Sequence, residues 1–312
     1  MRLRYIFVIL LIFPGLGACQ GLPPVRLQLG GLQGSENVEV VPAPPRPEMQ
    51  VVTSDHEAGA VAREVLQAQG TAADVAAAVG FTLAVTSPAS AGLGAGGVCV
   101  TRDADGRLEA VDFRTARLPR GLLALHAKFG NRPWSSLVVS AETLARFGFS
   151  VSPALARDLE TYGQALVGDK VALASFMTPA RRLIAAGDEW RQPWLSDTLA
   201  RMRTPRFLEG SPPRWYVPAV TGKTAVLEPG TTGFAVADAH GAAVACVISM
   251  GRPFGLGQMT RASGYLFAAT SPQDEILDQL ALGFLACIKG TGEAEEGAPR
   301  CPAPSAAFGL LP

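Results

Sequence analysis

The side chains able to do chemistry are few in this sequence, and their spacing excludes several reactions. Three histidines, His56, His126 and His240, stand too far apart to suggest a shared metal. Five cysteines occur, at 19, 99, 246, 287 and 301, with no CxxC among them. Cys99 and Cys246 sit in apolar runs and read as buried core thiols. Beyond Cys19 the remaining four allow three disulfide pairings, and spacing does not choose between them. Gly92, Gly94 and Gly97 form a GxGxxG. That fingerprint needs a strand before it and a helix after it. Here Val98-Cys99-Val100-Thr101 follows and reads as a strand, so the loop reads as a tight-packing feature. No cofactor and no metal is expected. Thr231, taken alone, is a β-branched residue opening a strand.

The bulk composition narrows the partners. The chain has 312 residues, 48% hydrophobic and 17% charged, enough for a substantial core. Lysine plus arginine and aspartate plus glutamate both number 27, so no basic footprint for nucleic acid exists. Arg2 and Arg4 precede an apolar run from Tyr5 to Leu16, too short to cross a bilayer but suited to a signal-peptide core. Leu16-Gly17-Ala18-Cys19 resembles a bacterial lipobox, which implies cleavage before Cys19 and a lipid on its sulfur. Gln20 leans toward the outer membrane. The expected organisation is a signal peptide over 1–18, a Pro/Gly-rich tether over 19–50, a folded domain over 51–290 and a loose tail over 291–312.

The elements that must position any site follow from pattern. Ser54 or Asp55 caps a first helix that Gly70 breaks, and an Ala-rich helix runs from about Ala72 to Val85. The strand after the glycine run turns at Asp103 to Gly106 and returns over Leu108 to Phe113. Helices dominate from Gly121 to about Arg203. A second hairpin spans Gly233 to Met250, turning at Ala239-His240-Gly241, with an apolar return arm suited to a strand covered on both faces. Ser271-Pro272-Gln273-Asp274 opens a final helix that Gly290 ends. Hairpins flanked by helices give a layered α/β (α+β) sandwich.

Several of these segments resemble the γ-glutamyltransferase family, in order and at comparable spacing. They are Thr53-Ser54-Asp55-His56 through Gly70 to Ala78, the glycine run after Pro88, and Val111 to Ala116 with Asp112 and Arg114. Pro133-Trp134, Ala145 to Pro153, Ala186-Gly187-Asp188 to Leu199, and Thr231-Thr232-Gly233-Phe234-Ala235-Val236-Ala237-Asp238 continue the likeness. The resemblance implies an αββα sandwich of the N-terminal-nucleophile hydrolase type and a self-cleaved precursor cut between Gly230 and Thr231. It further implies Thr231 as nucleophile, Ser249 as the assisting hydroxyl and Arg114 as the clamp on a substrate carboxylate. The freed α-amine, with an ordinary pKa of about 7.7–8.0, then serves as base, so no histidine is required.

The sequence departs from that pattern in places. The helical insert before the threonine is short, Gly251 replaces an Asn, and Ala268-Ala269 replaces a segment carrying the acid that binds the substrate's amino group. No counterpart of the family's paired serines and later glycine pair is found. The implied activity is hydrolysis or transfer of γ-glutamyl groups from a small molecule or peptide. The alternative is a catalytically inactive relative that binds a peptide or protein, with structural roles for Arg114, paired to Asp112 or Asp238, and for His56. A third reading is an amidohydrolase of the same superfamily with another substrate.

Overall fold

The computed structural model describes residues 49–208, 211–221, 226–269 and 274–288. The expected signal segment, Cys19 and its lipid, most of the tether, the tail and the Ser271-Pro272-Gln273 cap lie outside the described residues. Among the described residues no helix is long and apolar enough to cross a membrane.

Helix α1 (His56–Gln67) starts where Asp55 accepts a hydrogen bond from the Ala58 amide at 2.8 Å. Helix α2 (Ala72–Thr86) follows across Gly70 and opens with a capping box between Thr71 and Asp74. Every residue of α2 is buried. Its alanines explain how a helix can lie inside the molecule with neighbours on all sides. A methyl group on Gly80 would come within 2.8 Å of Leu122. Asp74 is fully buried there and also accepts from the backbone amides of Asn131 and Arg132.

The sheet is built from β1 (Gln50–Val52), β2 (Gly96–Arg102), β3 (Leu108–Asp112), β6 (Arg214–Tyr216), β7 (Thr231–Ala237) and β8 (Ala243–Ser249), in the order β1-β7-β8-β2-β3-β6. All neighbours are antiparallel. Two short strands, β4 (Phe149–Ser150) and β5 (Glu189–Trp190), pair separately. Between β3 and β6 come α3 (Leu118–Phe129), α4 (Trp134–Phe147), α5 (Pro153–Tyr162), α6 (Lys170–Ser175) and α7 (Pro193–Met202). Helix α8 (Asp274–Ala286) closes the described chain.

Strand alternation assigns the two faces. Cys99, Val111, Phe234, Val236, Cys246 and Ile248 pack into the larger core with α1 to α4. Val98, Val100, Ala235, Ala245 and Val247 pack against α8 through Leu277, Leu280 and Phe284. Both faces of β8 are thus covered, as its unbroken apolar run requires. The layering is helix, sheet, helix, with one large sheet among the described residues.

Two expectations are corrected. Cys99 and Cys246 are not free thiols. The β2–β8 register sets them opposite each other, and they form a disulfide across the strands. Apolar surroundings say only that a cysteine is buried; a shared register decides whether it finds a partner. Cys287 is disulfide-bonded as well. The edge strands β1 and β6, three residues each, were not foreseen, because so short a run carries no readable alternation.

Candidate active site

The β7–β8 register puts Thr231 opposite Ser249, and the β2–β8 register puts Ser249 opposite Gly96. Facing residues of an antiparallel ladder point to the same side. Thr231 and Ser249 therefore both lie on the α8 side, at one end of the sheet. Their hydroxyl oxygens share a hydrogen bond at 2.9 Å. Ser249 is 1% exposed and Thr231 half-buried, so the pair is open on the threonine side only.

Gly230, just before the strand, has φ +88°, and a methyl group there would fall 2.3 Å from the carbonyl carbon of Arg252. Left-handed backbone and close approach together require glycine. The Gly230 carbonyl accepts from the Met250 amide at 2.9 Å and lies 3.5 Å from the Ser249 hydroxyl. The Gly251 amide donates to Ser249 Oγ at 3.0 Å. With that lone pair engaged, the Ser249 proton is directed toward Thr231 Oγ or the Gly230 carbonyl. The arrangement places two hydroxyls and a hydrogen-bonded carbonyl around the Gly230–Thr231 peptide bond.

Arg114 is 8% exposed and grips Asp112 with two hydrogen bonds, at 2.9 and 2.6 Å. Arg214 reaches the same carboxylate at 3.1 Å. Burial works against the charged form of Asp112, but the bonds and charge of Arg114 and the charge of Arg214 outweigh it and hold the carboxyl below the usual carboxylate range. The backbone of Arg114 packs directly on Gly96. It therefore stands at the same end of the sheet as Thr231, three strand spacings away, roughly 14 Å. Asp238, weighed above as a partner of Arg114, lies at the opposite end and accepts instead from the amides of Ala72, His240 and Ala242. His56 is an exposed first residue of α1, 3.5 Å from Glu57.

The glycine run packs tightly. Methyl groups on Gly96 and Gly97 would meet the Arg114 backbone at 2.8 Å and the Val247 carbonyl at 2.2 Å. The Ala269 amide donates to the Met250 carbonyl at 2.9 Å, so Ala268 and Ala269 border the site with methyl groups. The Met250 amide was missed in the sequence, although the hairpin register would have pointed to it. Two clefts bounded by described residues lie away from the pair: about 360 Å³ beside Trp190, Trp194, Met177 and Met259, and about 720 Å³ at the far end of the sheet. Among the described residues no cluster of His, Cys, Asp or Glu could hold a metal ion.

Comparison with known structures defines the class first. The chain is similar to a cephalosporin acylase from Bacillus halodurans, with a TM-score of 0.58 at 17% identity over 74% of this chain and 72% of that one. The fold is that of the N-terminal-nucleophile hydrolases. A family model described as Gamma-glutamyltranspeptidase matches residues 58–117 and 118–210, and over that stretch the chain is similar to the family. The match ends before Thr231. The glutathione hydrolase proenzyme of Escherichia coli is 36% identical over 146 residues, 36% of this chain and 25% of that protein. Glutathione hydrolase 2 of Arabidopsis thaliana is 30% identical over 179 residues, 49% of this chain and 31% of that protein. The matched segments thus span about a quarter to a third of these relatives.

Proposed function

We propose that the protein is a self-processing N-terminal-threonine hydrolase or transferase that acts on γ-glutamyl groups at the cell envelope, anchored by lipid on Cys19. The observation that carries this reading is the Thr231–Ser249 hydroxyl pair at 2.9 Å, set against the Gly230 carbonyl. In the first step Thr231 Oγ attacks the Gly230 carbonyl carbon while its proton passes through Ser249 to the departing Thr231 nitrogen. The C–N bond breaks and an ester replaces it. Water then cleaves the ester, leaving a carboxylate on Gly230 and a free amine on Thr231. The Met250 amide offsets charge on the carbonyl oxygen as it develops.

In turnover the freed amine takes the Thr231 hydroxyl proton as the oxygen attacks a γ-glutamyl amide. The acyl group passes to Thr231 and the amine product leaves protonated. Water or a second amine completes the cycle. Arg114, at the same end of the sheet, takes the substrate carboxylate through its guanidinium.

A second reading, a partner-binding protein without catalysis, is favoured by the commitment of Arg114 to Asp112. Mass spectrometry of the reduced, denatured protein beside Thr231→Ala separates the two. Two fragments, the second beginning at Thr231 and absent from the variant, support the enzyme. One uncut chain in both samples sinks it and leaves the binding reading standing.

A further inference from the structure

The 720 Å³ cleft lies at the end of the sheet away from Thr231. It is bounded by the β2–β3 turn, the start of α2, the end of α3 and the β7–β8 turn. Ala243 in its wall is six residues along β8 from Ser249, about 20 Å away. The volume is that of a small-molecule site. Leu108, Phe129, Val217 and Val244 make its surface partly apolar.

The charged groups around it are unequally engaged. Asp238 accepts from three backbone amides. Glu109 is paired with Lys128 at 2.5 Å. Asp103 accepts from the Asp105 and Arg107 amides and lies 3.9 Å from the Arg107 guanidinium. Arg107 also reaches Asp105 at 3.3 Å. Arg102 differs. Its Nε is closed off from solvent with no hydrogen-bond partner, and its guanidinium makes no ion pair among the described residues. Burial lowers its pKa, with the charge of Asp103 opposing. A half-buried guanidinium with only a neighbouring carboxylate's charge and no ion pair at contact distance is incompletely compensated, and a cleft beside it gives an anion room.

We propose that this cleft binds a small amphipathic anion, with the Arg102 guanidinium taking an oxyanion head and the apolar wall taking a hydrocarbon or aromatic part. Carboxylates and phosphate monoesters share the required head, because both accept the guanidinium fork. The N-terminus of α2 is not the seat of the anion, since Asp238 and Asp74 already occupy it.

Isothermal titration calorimetry with 4-phenylbutyrate, phenyl phosphate and the neutral 4-phenylbutanol tests this on the full protein. At least one anion should bind about tenfold or more tightly than the alcohol. Which anion binds identifies the head group. Arg102→Met should erase that preference, and Arg102→Lys should keep part of it. Val217→Glu, at an exposed position on the cleft, should weaken anion binding without disturbing the fold. Thr231→Ala should leave all three titrations unchanged, so the result is independent of the proposed catalysis. Equal affinity for the three probes, no binding of any, or anion binding indifferent to both Arg102→Met and Val217→Glu would overturn the proposal.

Discussion

The two ends of the β7–β8 hairpin engage their polar groups in opposite ways. At the turn, the buried carboxylate of Asp238 is saturated by the amides of Ala72, His240 and Ala242. It joins the hairpin to α2 through fixed backbone donors. At the open end, the hydroxyls of Thr231 and Ser249 bond to each other, and Ser249 also reaches the Gly230 carbonyl and accepts from the Gly251 amide. Both arrangements are satisfied. Only the second sets hydroxyls beside the peptide bond that the proposed reaction would break. A polar cluster is structural when its partners are fixed amides and chemical when one partner is an attackable carbonyl.

Three variants probe that contrast and a fourth serves as its control, from the largest effect downward. Asp238→Ala leaves three amides without their acceptor and should cost about 3 kcal/mol in urea unfolding. A loss under half a kcal/mol would show that the turn end is not held by that carboxylate. The double variant Cys99→Ala/Cys246→Ala releases a link spanning 147 residues and should cost about 2–4 kcal/mol. Unchanged urea midpoints would mean that the sheet alone fixes the register. Thr231→Ala deletes one hydroxyl bond, about 1 kcal/mol or less, yet should abolish processing as read by mass. Retained cutting would assign the chemistry elsewhere.

The smallest effect lies off the hairpin and serves as a control. Arg182 and the Ala185 amide hold the Asp188 carboxyl down to about 2. Because the folded value is depressed, its stabilisation is complete above the unfolded pKa near 4 and is lost as pH falls toward 2. Asp188→Asn should lower the melting temperature slightly at pH 7, and the difference from the natural chain should vanish near pH 2. A difference that persisted there would assign the effect to something other than charge.

Much of this hairpin was legible before any coordinates. The turn at Ala239-His240-Gly241 sets Ala237 opposite Ala243, and counting back along both arms brings Thr231 to Ser249. The capped start of α1 and the burial of α2 follow directly from Asp55 and the alanine run. What sequence did not yield depends on contacts between elements distant in the chain. The β2–β8 pairing that turns two thiols into a disulfide joins strands 147 residues apart. The cleft beside Arg102 draws on both hairpins and two helices, and no local pattern marks an arginine as left out of an ion pair.

The Cys99–Cys246 bond has a consequence for the proposed processed form. Cys99 comes before the Gly230–Thr231 bond and Cys246 after it. Cutting there would yield two polypeptides that remain one covalent molecule. Subunits held only by contacts separate on dilution; these could not while the sulfurs stay oxidised. The cut would run as a single band on a non-reducing gel and as two after thiol treatment.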